Sequence, residues 1–510
     1  MNNLLEIKSM NVVSDDKNKE ILLEDIDFVI EEPRLVSLMG DSGSGKSLLA
    51  YAIMSKESEY KAKKNYQAFC FNGKEIENNY EKDISYIPQE PLSSLNPVIN
   101  ILKHFEIHAR GDVSNKNDLR KKVVKLLVEV GFDDIGNLLA SYPHELSGGM
   151  AQRILIALAL QNDPKILIAD EATSSLDAVN EKLILDLLSK ISKERGLTIL
   201  IITHDSRIAV NYCSDHYQIR EKRLLRFQSV QEVDKVYNEY HAILREEKIP
   251  INDCLDANNS KNEIINMNKI FFKFTESAEW TIKNLDILIK QGEALGLIGL
   301  SGSGKSTISK LITKLLSPNS GEILFKRSPI DMIKRKDYAK NVQIVFQDLF
   351  GSLNPKRSIK DILLDSFEIN GLAQGAKSFN KAEKIRLDSI KMGLPPEVLD
   401  KYPMSLSGGQ RQKVLILKAI LSEPEFIIFD EPMSSLDIKS QSEIILIIKE
   451  LMKSSNLTVL FITHDFRLIK NLCDKVMVLS DAKIVEMGLT SQVFNNPQHA
   501  ETKKLLQVVK

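Results

Sequence analysis

This sequence has few cysteines and almost no net charge. Its 510 residues include four cysteines, each isolated along the chain, and no Cys-x-x-Cys pair. Neither a disulfide framework nor a zinc ribbon is indicated, and a reducing cytosol is the compartment that this usage favours. The formal net charge of −1 gives no overall electrostatic footprint for nucleic acid, so we expect no nucleic acid partner.

Long hydrophobic runs are also missing. No window approaches the roughly 18 consecutive apolar residues that a membrane helix needs, and the apolar run Ile154–Leu160 is far too short. The first residues lack the basic region and the apolar stretch of a secretion signal. If the protein works at a membrane, we expect other subunits to supply the membrane spans.

One ordered set of features is present twice. Gly40–Ser47 and Gly299–Ser306 both follow the pattern Gly-x-x-x-x-Gly-Lys-Ser. The two lysines are offset by 305 − 46 = 259, the aspartates that end two later apolar runs by 430 − 170 = 260, and the histidines that follow by 464 − 204 = 260. Such a long period indicates two tandem domains of one architecture. We expect these domains at 1–228 and 263–510, joined by a linker at 229–262 that is polar near its end.

The patterning predicts an α/β fold in each half. Alternating apolar and polar residues open both halves and indicate half-buried strands of an antiparallel β subdomain. Short buried strands then alternate with helices, which favours a largely parallel sheet covered on both faces. Helical periodicity at Leu119–Val130 and Ala382–Met392 predicts an inserted helical subdomain. The predicted fold class is two tandem P-loop NTPase domains with these parts.

The glycine-rich loops predict phosphate binding. Between a strand and a helix, such a loop wraps backbone N–H groups around phosphates, and the helix N-terminus adds partial positive charge. We expect Lys46 and Lys305 to reach the β- and γ-phosphates of ATP, and Ser47 and Ser306 to ligate Mg²⁺. The predicted loop residues are Gly40, Asp41, Ser42, Gly43, Ser44, Gly45, Lys46 and Ser47, and in the second half Gly299, Leu300, Ser301, Gly302, Ser303, Gly304, Lys305, Ser306 and Thr307.

An Asp-Glu pair follows an apolar run in each half. Asp170 and Asp430 are placed where an aspartate holds Mg²⁺ directly or through water. Glu171 and Glu431 come next, and a carboxylate there can orient and polarise an attacking water. The alternative interpretation is that each pair only caps the following turn.

A Ser-Gly-Gly sequence precedes a helical pattern in each half. Ser147, Gly148 and Gly149 form the first copy, and Ser407, Gly408 and Gly409 form the second. Free N–H groups, a hydroxyl and the helix dipole make such a helix start an anion site. An isolated Ser-Gly-Gly would be interpreted as an ordinary N-cap.

Taken in order, these features resemble the ATP-binding cassette (ABC) family over nearly the whole chain. The remaining family features match at the glutamine loops (Gln89, Gln347), the Ser-Leu-Asp loops (Ser175–Asp177, Ser435–Asp437) and the switch histidines (His204, His464). The resemblance implies ABC-type ATPase domains with ATP and Mg²⁺ as cofactors. It also implies catalytic roles for Glu171, Glu431, His204, His464, Gln89 and Gln347, and a Mg²⁺ set of Ser47, Asp170 and Gln89 in one half and Ser306, Asp430 and Gln347 in the other.

The family also implies a head-to-tail arrangement of the two halves. ATP on the phosphate loop of one half would be completed by the Ser-Gly-Gly of the other. Site one would combine Lys46, Asp170, Glu171 and His204 with Ser407, Gly408 and Gly409, and site two would combine Lys305, Asp430, Glu431 and His464 with Ser147, Gly148 and Gly149. ATP would close the halves together and hydrolysis would release them.

Two flanking segments are similar to the oligopeptide, dipeptide and nickel importer group within this family. They are Tyr142–Arg153 around the first Ser-Gly-Gly and Gln347–Pro355, which is echoed by Gln89–Pro97. The resemblance implies two integral-membrane permease subunits, an extracytoplasmic solute-binding protein, and a peripheral location on the cytoplasmic face of the membrane. The cargo stays open among peptides, nickel, metal–opine complexes and glutathione.

The two halves differ at the position where the family stacks an aromatic ring on adenine. Phe274 occupies it in the second half, whereas Ser14 is found 260 residues earlier. We therefore expect site one to hold adenine more weakly.

Two alternative functions remain at this stage. The first is a soluble two-cassette ATPase acting in translation on the ribosome, which the short, mixed join and the near-neutral charge disfavour. The second is a fused sugar-importer ATPase, which the intact second phosphate loop disfavours.

Overall fold

The chain folds as two units of the same architecture. The computed structural model describes residues 3–16, 19–31, 33–75, 80–109, 116–174, 176–227, 229–233, 263–275, 279–300, 302–348, 351–369, 378–433, 436–454 and 457–509. The chain divides into two compact units, Met1–Tyr240 and His241–Lys510. The predicted linker lies outside the described residues from 234 onward, and the predicted domain bounds stay a prediction.

The first unit contains two sheets. Their strands are β1 (Asn3–Ser14), β2 (Ile21–Glu31), β3 (Leu35–Met39), β4 (Ala62–Asn65), β5 (Ala68–Phe71), β6 (Lys74–Glu75), β7 (Ile84–Ile87), β8 (Ile166–Asp170), β9 (Thr198–Ile202), β10 (Asp215–Arg220) and β11 (Arg223–Phe227). An antiparallel sheet has the order β2-β1-β5-β6, with β4 paired to β1, and a six-stranded sheet has the order β11-β10-β3-β9-β8-β7. All neighbours in the larger sheet are parallel except β10 and β11.

Helices cover the faces of the larger sheet in this unit. They are α1 (Lys46–Ile53), α2 (Ile101–His108), α3 (Lys116–Glu129), α4 (Ile135–Ala140), α5 (Gly148–Leu160), α6 (Ala178–Arg195) and α7 (Ser206–Tyr212). One apolar cluster joins α2–α6 to one face of the sheet, and a second joins α1 and the antiparallel sheet to the other face. The central strands β3, β8 and β9 are buried at every residue, as expected for a parallel sheet covered on both faces.

The second unit repeats this plan. Its strands are β12 (Glu263–Phe272), β13 (Ile282–Lys290), β14 (Ala294–Gly299), β15 (Ser320–Phe325), β16 (Ser328–Pro329), β17 (Val342–Val345), β18 (Phe426–Asp430), β19 (Thr458–Ile462), β20 (Lys475–Ser480) and β21 (Lys483–Leu489). The sheet orders are β13-β12-β15-β16 and β17-β18-β19-β14-β20-β21. The helices are α8 (Lys305–Ile312), α9 (Arg335–Asn341), α10 (Ile359–Ile369), α11 (Ser378–Lys391), α12 (Gly408–Ile420), α13 (Ile438–Ser454), α14 (Phe466–Leu472), α15 (Thr490–Asn495) and α16 (Ala500–Val509).

The predicted fold class is confirmed in both units. The periodic segments expected to be helical form α3 and α11, each starting three or four residues earlier than the periodicity suggested. In each unit the strands that precede the glycine loop, the Asp-Glu pair and the histidine are neighbours in one parallel ladder. Their carboxyl ends therefore meet at one edge of the sheet, where ligands of open α/β sheets bind.

Candidate nucleotide-binding sites

The phosphate loops connect β3 to α1 and β14 to α8. The glycine before each lysine, Gly45 and Gly304, has a φ of 104°, a region that side chains with a Cβ rarely adopt. A Cβ on Gly304 would also lie 2.8 Å from the carbonyl oxygen of Thr281. The loop therefore needs glycine here for both its dihedral angle and its close packing. Ser301 lies outside the described residues.

The loop lysines fold back over their own loops. Lys46 Nζ donates to the carbonyl oxygens of Gly40 at 2.8 Å and Asp41 at 2.9 Å. Lys305 Nζ donates to the equivalent carbonyl oxygens of Gly299 and Leu300, at 3.0 and 2.8 Å. Both lysine side chains are buried. Each loop thus encloses an ammonium group at its centre, as a phosphate site requires.

A serine hydroxyl in each loop lacks a hydrogen-bond partner. The Oγ atoms of Ser44 and Ser303 are buried, and neither has a partner among the described residues. Buried polar groups are normally hydrogen-bonded. The two orphaned hydroxyls lie beside the lysines, at the start of α1 and α8. Each loop therefore contains a hydroxyl that the contacts within its own unit leave unsatisfied.

The Asp-Glu pairs lie at the carboxyl ends of β8 and β18. Asp170 and Asp430 are buried, and the glutamates that follow have φ values of 45° and 51°. This left-handed conformation is uncommon for a residue with a side chain and marks functional sites. The backbone N–H of Glu171 donates to Ile202 and that of Glu431 to Ile462, at 2.9 and 2.8 Å. Each glutamate is therefore held at the sheet edge by the neighbouring strand.

Two hydroxyls contact each aspartate. Asp430 accepts hydrogen bonds from Ser306 Oγ at 3.2 Å and Ser309 Oγ at 2.9 Å. Asp170 accepts from Ser47 and from the Tyr86 hydroxyl at 2.8 Å. The serine that follows the loop lysine therefore reaches the aspartate in both halves, which places together the two residue types expected to hold Mg²⁺.

Burial is the main influence on both aspartates. It raises the pKa of Asp170 and of Asp430 above the ordinary value, although the hydroxyls and the loop lysine act in the opposite direction. A bound cation would favour the charged carboxylate. Oxygen ligands of this type suit a hard divalent cation. The residues present therefore fit Mg²⁺.

Each glutamate faces the histidine that follows the next strand. The distance from His464 Nδ1 to Glu431 Oε2 is 2.7 Å, and that from His204 Nδ1 to Glu171 Oε1 is 3.5 Å. Burial disfavours the charged ring of His204, but the hydrogen bond and the charge of Glu171 outweigh burial and raise its pKa. The pKa of His464 is raised by the same balance with Glu431. Each unit thus places a carboxylate and an imidazole next to each other at the sheet edge that carries the phosphate loop.

The glutamine loops differ between the halves. Gln89 Nε2 donates to Glu171 Oε2 at 2.9 Å, so this side chain already contacts the acidic centre. Gln347 is exposed at the corresponding place, as Gln89 is. The structure thus brings Gln89 to the predicted site through a described contact.

The Ser-Gly-Gly sequences form the N-termini of α5 and α12. Ser147 Oγ accepts from the N–H of Met150, and Ser407 Oγ from that of Gln410, both at 3.3 Å. Gln410 Oε1 in turn accepts a hydrogen bond from the backbone N–H of Ser407, which completes a capping box. Both serines are exposed. The turns are ordinary helix caps in their own unit, as the alternative interpretation held, and their exposed faces leave them accessible to a ligand.

Phe274, the aromatic residue expected to stack on adenine, lies just beyond the end of β12, the first strand of unit two. Phe274 is 47% exposed, and its ring makes an edge contact with Phe272 at 5.0 Å. Ser14 is tied into a turn: its Oγ donates to Asp16 and accepts from the N–H of Glu20, both at 2.8 Å. An accessible ring is thus present in unit two where unit one has a hydroxyl already bonded to its neighbours.

Some residues of these sites were missed by sequence reasoning. Tyr86 and Ser309 contact the aspartates, and Thr203 and Thr463 accept the backbone N–H of the residue after each histidine, at 2.9 and 3.0 Å. The shared run Thr-His-Asp-x-Arg was an available signal for the threonines. Tyr86 and Ser309 occupy positions where the halves differ, so the repeat itself did not reveal them.

The fold and the loop geometry define a P-loop nucleoside triphosphatase with two nucleotide sites. A family model described as ABC transporter matches residues 23–174 and 282–434, and the chain belongs to this family. It is an ABC-type ATPase with two ATP-binding cassettes.

Relatives match the chain over almost its whole length. The chain is 31% identical to the peptidoglycan transport ATP-binding protein YejF of Agrobacterium fabrum, over 95% of this chain and 92% of that protein. It is 27% identical to the glutathione import ATP-binding protein GsiA of Escherichia coli, over 99% and 89% of the two chains. Among solved structures, cbiO1 from Clostridium perfringens matches 46% of this chain and 92% of its own, with 26% identity and a TM-score of 0.41.

Within the part of the chain that the structure describes, no helix combines the length and the apolar character that crossing a bilayer requires.

Proposed function

We propose that the chain is the ATP-hydrolysing, energy-coupling subunit of an ABC importer for peptides or related small solutes, with glutathione among them. The observation that carries this proposal is the complete set of loop lysine, aspartate, glutamate and histidine in each unit. Full-length similarity to proteins named for peptidoglycan transport and glutathione import supports the solute class. Nickel, the other cargo of the group indicated by the sequence, stays a prediction.

Each unit would bind ATP through its phosphate loop. The N–H groups at the start of α1 and α8 and the side chains of Lys46 and Lys305 would hold the phosphates. Ser47 with Asp170, and Ser306 with Asp430, would hold Mg²⁺, with Gln89 and Gln347 as further ligands. Mg²⁺ bound there would neutralise charge that develops on the phosphates during transfer.

Hydrolysis would depend on the glutamates. Glu171 and Glu431 would accept a proton from the attacking water, and their placement beside buried aspartates keeps that water oriented. His204 and His464 would hold the glutamates through the contacts described above and stabilise charge on the transferred group. Phosphoryl transfer relies on positioning and electrostatics more than on covalent catalysis, and these side chains supply both.

The two units would close head to tail over ATP. In this arrangement Ser407, Gly408 and Gly409 complete site one, and Ser147, Gly148 and Gly149 complete site two. The exposed capping serines at the N-termini of α5 and α12 support the proposal, because the N-terminus of a helix attracts phosphate. An ATP-dependent disulfide between cysteines introduced by Asp41→Cys and Ser407→Cys would test it. A cross-link that forms equally without ATP, or not at all, would contradict closure over nucleotide.

The partners of this subunit would be two integral-membrane permeases, with an extracytoplasmic solute-binding protein acting through them. The chain would then be peripheral on the cytoplasmic face of the membrane. The translation alternative is disfavoured by the match to transport ATP-binding proteins over almost the whole length of the chain.

The experiment that tests the proposed function is reconstitution with the integral-membrane permease subunits that co-purify with this chain. Proteoliposomes that contain the complex should take up peptide when solute-binding protein and ATP are both present. The matched control carries Lys46→Ala and Lys305→Ala and should be inactive. Failure of the chain to co-purify with any permease, under conditions that preserve complexes, would overturn the importer assignment.

A further inference from the structure

The buried aspartate of each unit accepts a hydrogen bond from a hydroxyl group that lies outside the repeated sequence motifs. In unit two this donor is Ser309 on α8, one turn beyond the phosphate loop, which lies 2.9 Å from Asp430 Oδ2. In unit one it is Tyr86 on β7, which lies 2.8 Å from Asp170 Oδ2. The same carboxylate oxygen is therefore held in both units, but by donors on different elements, a helix in one and a strand in the other.

The two donors replace each other across the repeat. The helix position of Ser309 corresponds to Ala50 at the offset of the loop lysines, because 309 − 259 = 50. The strand position of Tyr86 corresponds to Ile344 at the offset of the glutamines, 347 − 89 = 258, because 86 + 258 = 344. Ala50 is fully buried, as is Ser309. Each unit thus has one hydroxyl donor and one side chain without a donor at this pair of positions.

The hydroxyl of Tyr86 is held in place by neighbouring rings. Tyr51 makes an edge contact with Tyr86 at 5.5 Å, and Tyr60 makes another with Tyr51 at 4.9 Å. The phenol lies 2.8 Å from Asp170 Oδ2 and donates to it, because an ionised carboxylate can only accept hydrogen bonds.

We propose that Tyr86 is a positioning residue of site one, whose hydroxyl fixes the orientation of Asp170 for the cation, as Ser309 does for Asp430. This inference rests on the proposed function, in which Asp170 and Ser47 hold Mg²⁺ together with ATP. Losing the hydroxyl leaves a buried carboxylate oxygen without its donor, which is costly. The carboxylate must then rotate or recruit water before it can serve the cation.

The test measures the Mg²⁺ dependence of ATP binding at site one alone. Full-length protein carrying Lys305→Ala, which disables site two, is titrated with Mg²⁺ in the presence of radiolabelled ATP. Tyr86→Phe should raise the Mg²⁺ concentration for half-maximal binding about tenfold, the scale of one hydrogen bond to a charged group. The phenylalanine ring keeps the contact with Tyr51, so the variant removes the hydrogen bond and preserves the packing.

A rescue separates hydrogen bonding from packing. Adding Ala50→Ser to Tyr86→Phe places the hydroxyl where unit two has it, and should restore the Mg²⁺ dependence to within about threefold of the parent. The matched control Tyr51→Phe removes a hydroxyl from the neighbouring ring and should leave the Mg²⁺ dependence unchanged. In the Lys46→Ala background, Ser309→Ala should reproduce the defect at site two and Ile344→Tyr should correct it.

Two results would overturn the inference. One is an unchanged Mg²⁺ dependence in Tyr86→Phe. The other is a raised Mg²⁺ requirement in Tyr86→Phe that Ala50→Ser does not restore, because a loss of packing and not of the hydroxyl would then be responsible. Failure of the proposed function gives a different result: the Lys305→Ala protein would bind no ATP at any Mg²⁺ concentration, with Tyr86 intact or replaced.

Discussion

The two units hold the same proposed catalytic residue types at the same sheet edge, yet their acidic centres are bonded differently. Glu431 lies 2.7 Å from its histidine, whereas Glu171 lies 3.5 Å from its own and also accepts a hydrogen bond from Gln89. The second hydroxyl that donates to each aspartate lies on strand β7 in unit one and on helix α8 in unit two. The repeated motifs therefore specify which side chains converge, while residues outside the motifs decide how the carboxylates are held.

The largest expected effect comes from the glutamates. Glu431→Gln should lower ATP turnover by about 10²–10⁴-fold, the usual contribution of a general base, because an amide cannot accept the proton of water. ATP should remain bound, since the phosphate loop and Asp430 are intact. Steady-state hydrolysis and retention of radiolabelled ATP measure the two effects.

Glu171→Gln makes the same change in unit one and compares the sites directly. Unequal residual turnover in the two variants would show that the different glutamate contacts have catalytic consequences. Replacement of the exposed Glu397 by glutamine is the control and should be silent. Wild-type hydrolysis in Glu431→Gln would contradict the assignment of that residue as the base.

The adenine position should give the next largest effect. Phe274→Ala should weaken ATP binding at site two by about 5–150-fold, which corresponds to the roughly 1–3 kcal/mol of base–aromatic stacking. The site is isolated by Lys46→Ala, and affinity is measured by equilibrium binding of ATP and of a triphosphate without a base. Only the former should weaken.

Ser14→Tyr is the reciprocal change and should strengthen ATP binding at site one. Ser14→Ala serves as its control, because it removes the turn hydrogen bonds to Asp16 and Glu20 without adding a ring. Equal ATP affinities of the two sites in the unaltered protein would contradict the expected weakness of site one.

Sequence reasoning located the fold and the convergence of the site residues. Glycine loops, apolar strands ending in acid and a conspicuous repeat are local patterns, and parallel topology then brings strand ends to one edge. The carboxylate contacts escaped prediction because they depend on tertiary neighbours. Tyr86 reaches Asp170 only because β7 and β8 are adjacent, and the sequence separates these residues by 84 positions.

The backbone strain at the glutamates was also beyond the sequence. Nothing in an Asp-Glu pair predicts the positive φ of Glu171 and Glu431, which follows from the hydrogen bonds that tie their N–H groups to β9 and β19. The choice between a capping role and a catalytic one likewise depended on which side chains surround the pair.

A smaller difference between the units lies outside the candidate nucleotide-binding sites. Arg195 at the end of α6 makes a two-point hydrogen bond to Glu129 of α3, at 2.6 and 2.7 Å, and a third hydrogen bond to Asp163 at 3.3 Å. The corresponding region of unit two contains a groove of about 530 Å³ lined in part by Lys391 and Leu451. Ser455 occupies the sequence position of Arg195 there, outside the described residues.

Arg195→Ala should destabilise unit one by about 1 kcal/mol, since the ion pair is only partly buried. That change lowers Tm by about 2–4 °C in a unit of this size, and calorimetry of the full chain measures it. Alanine at the exposed Arg220 is the control. An equal Tm for Arg195→Ala and the unaltered protein would mean that α3 and α6 are held by their apolar contacts alone.

The smallest predicted effect concerns a polar pair inside the sheet of unit one. Ser37 Oγ lies 2.9 Å from His216 Nδ1, both side chains are buried, and His216 Nε2 has no partner among the described residues. Unit two has Gly296 and Val476 at these positions. Burial lowers the pKa of His216 below its ordinary value, although Asp215 acts in the opposite direction.

The sign of the resulting pH dependence follows from that lowered pKa. Below the ordinary histidine pKa of about 6.5, His216 is protonated in the unfolded chain but stays neutral in folded unit one. The stability of unit one therefore decreases as the pH is lowered through this window. His216→Val should flatten the dependence of Tm between about pH 7 and pH 5, by no more than the 2–4 °C that about 1 kcal/mol produces. The neighbouring hydroxyl is removed by Ser37→Gly in the same protein, which reproduces the pair of unit two and leaves no unpaired polar group. If the doubly substituted protein kept the pH dependence of the parent, the titrating group would have to be one of the other histidines and the buried pair would be electrostatically silent.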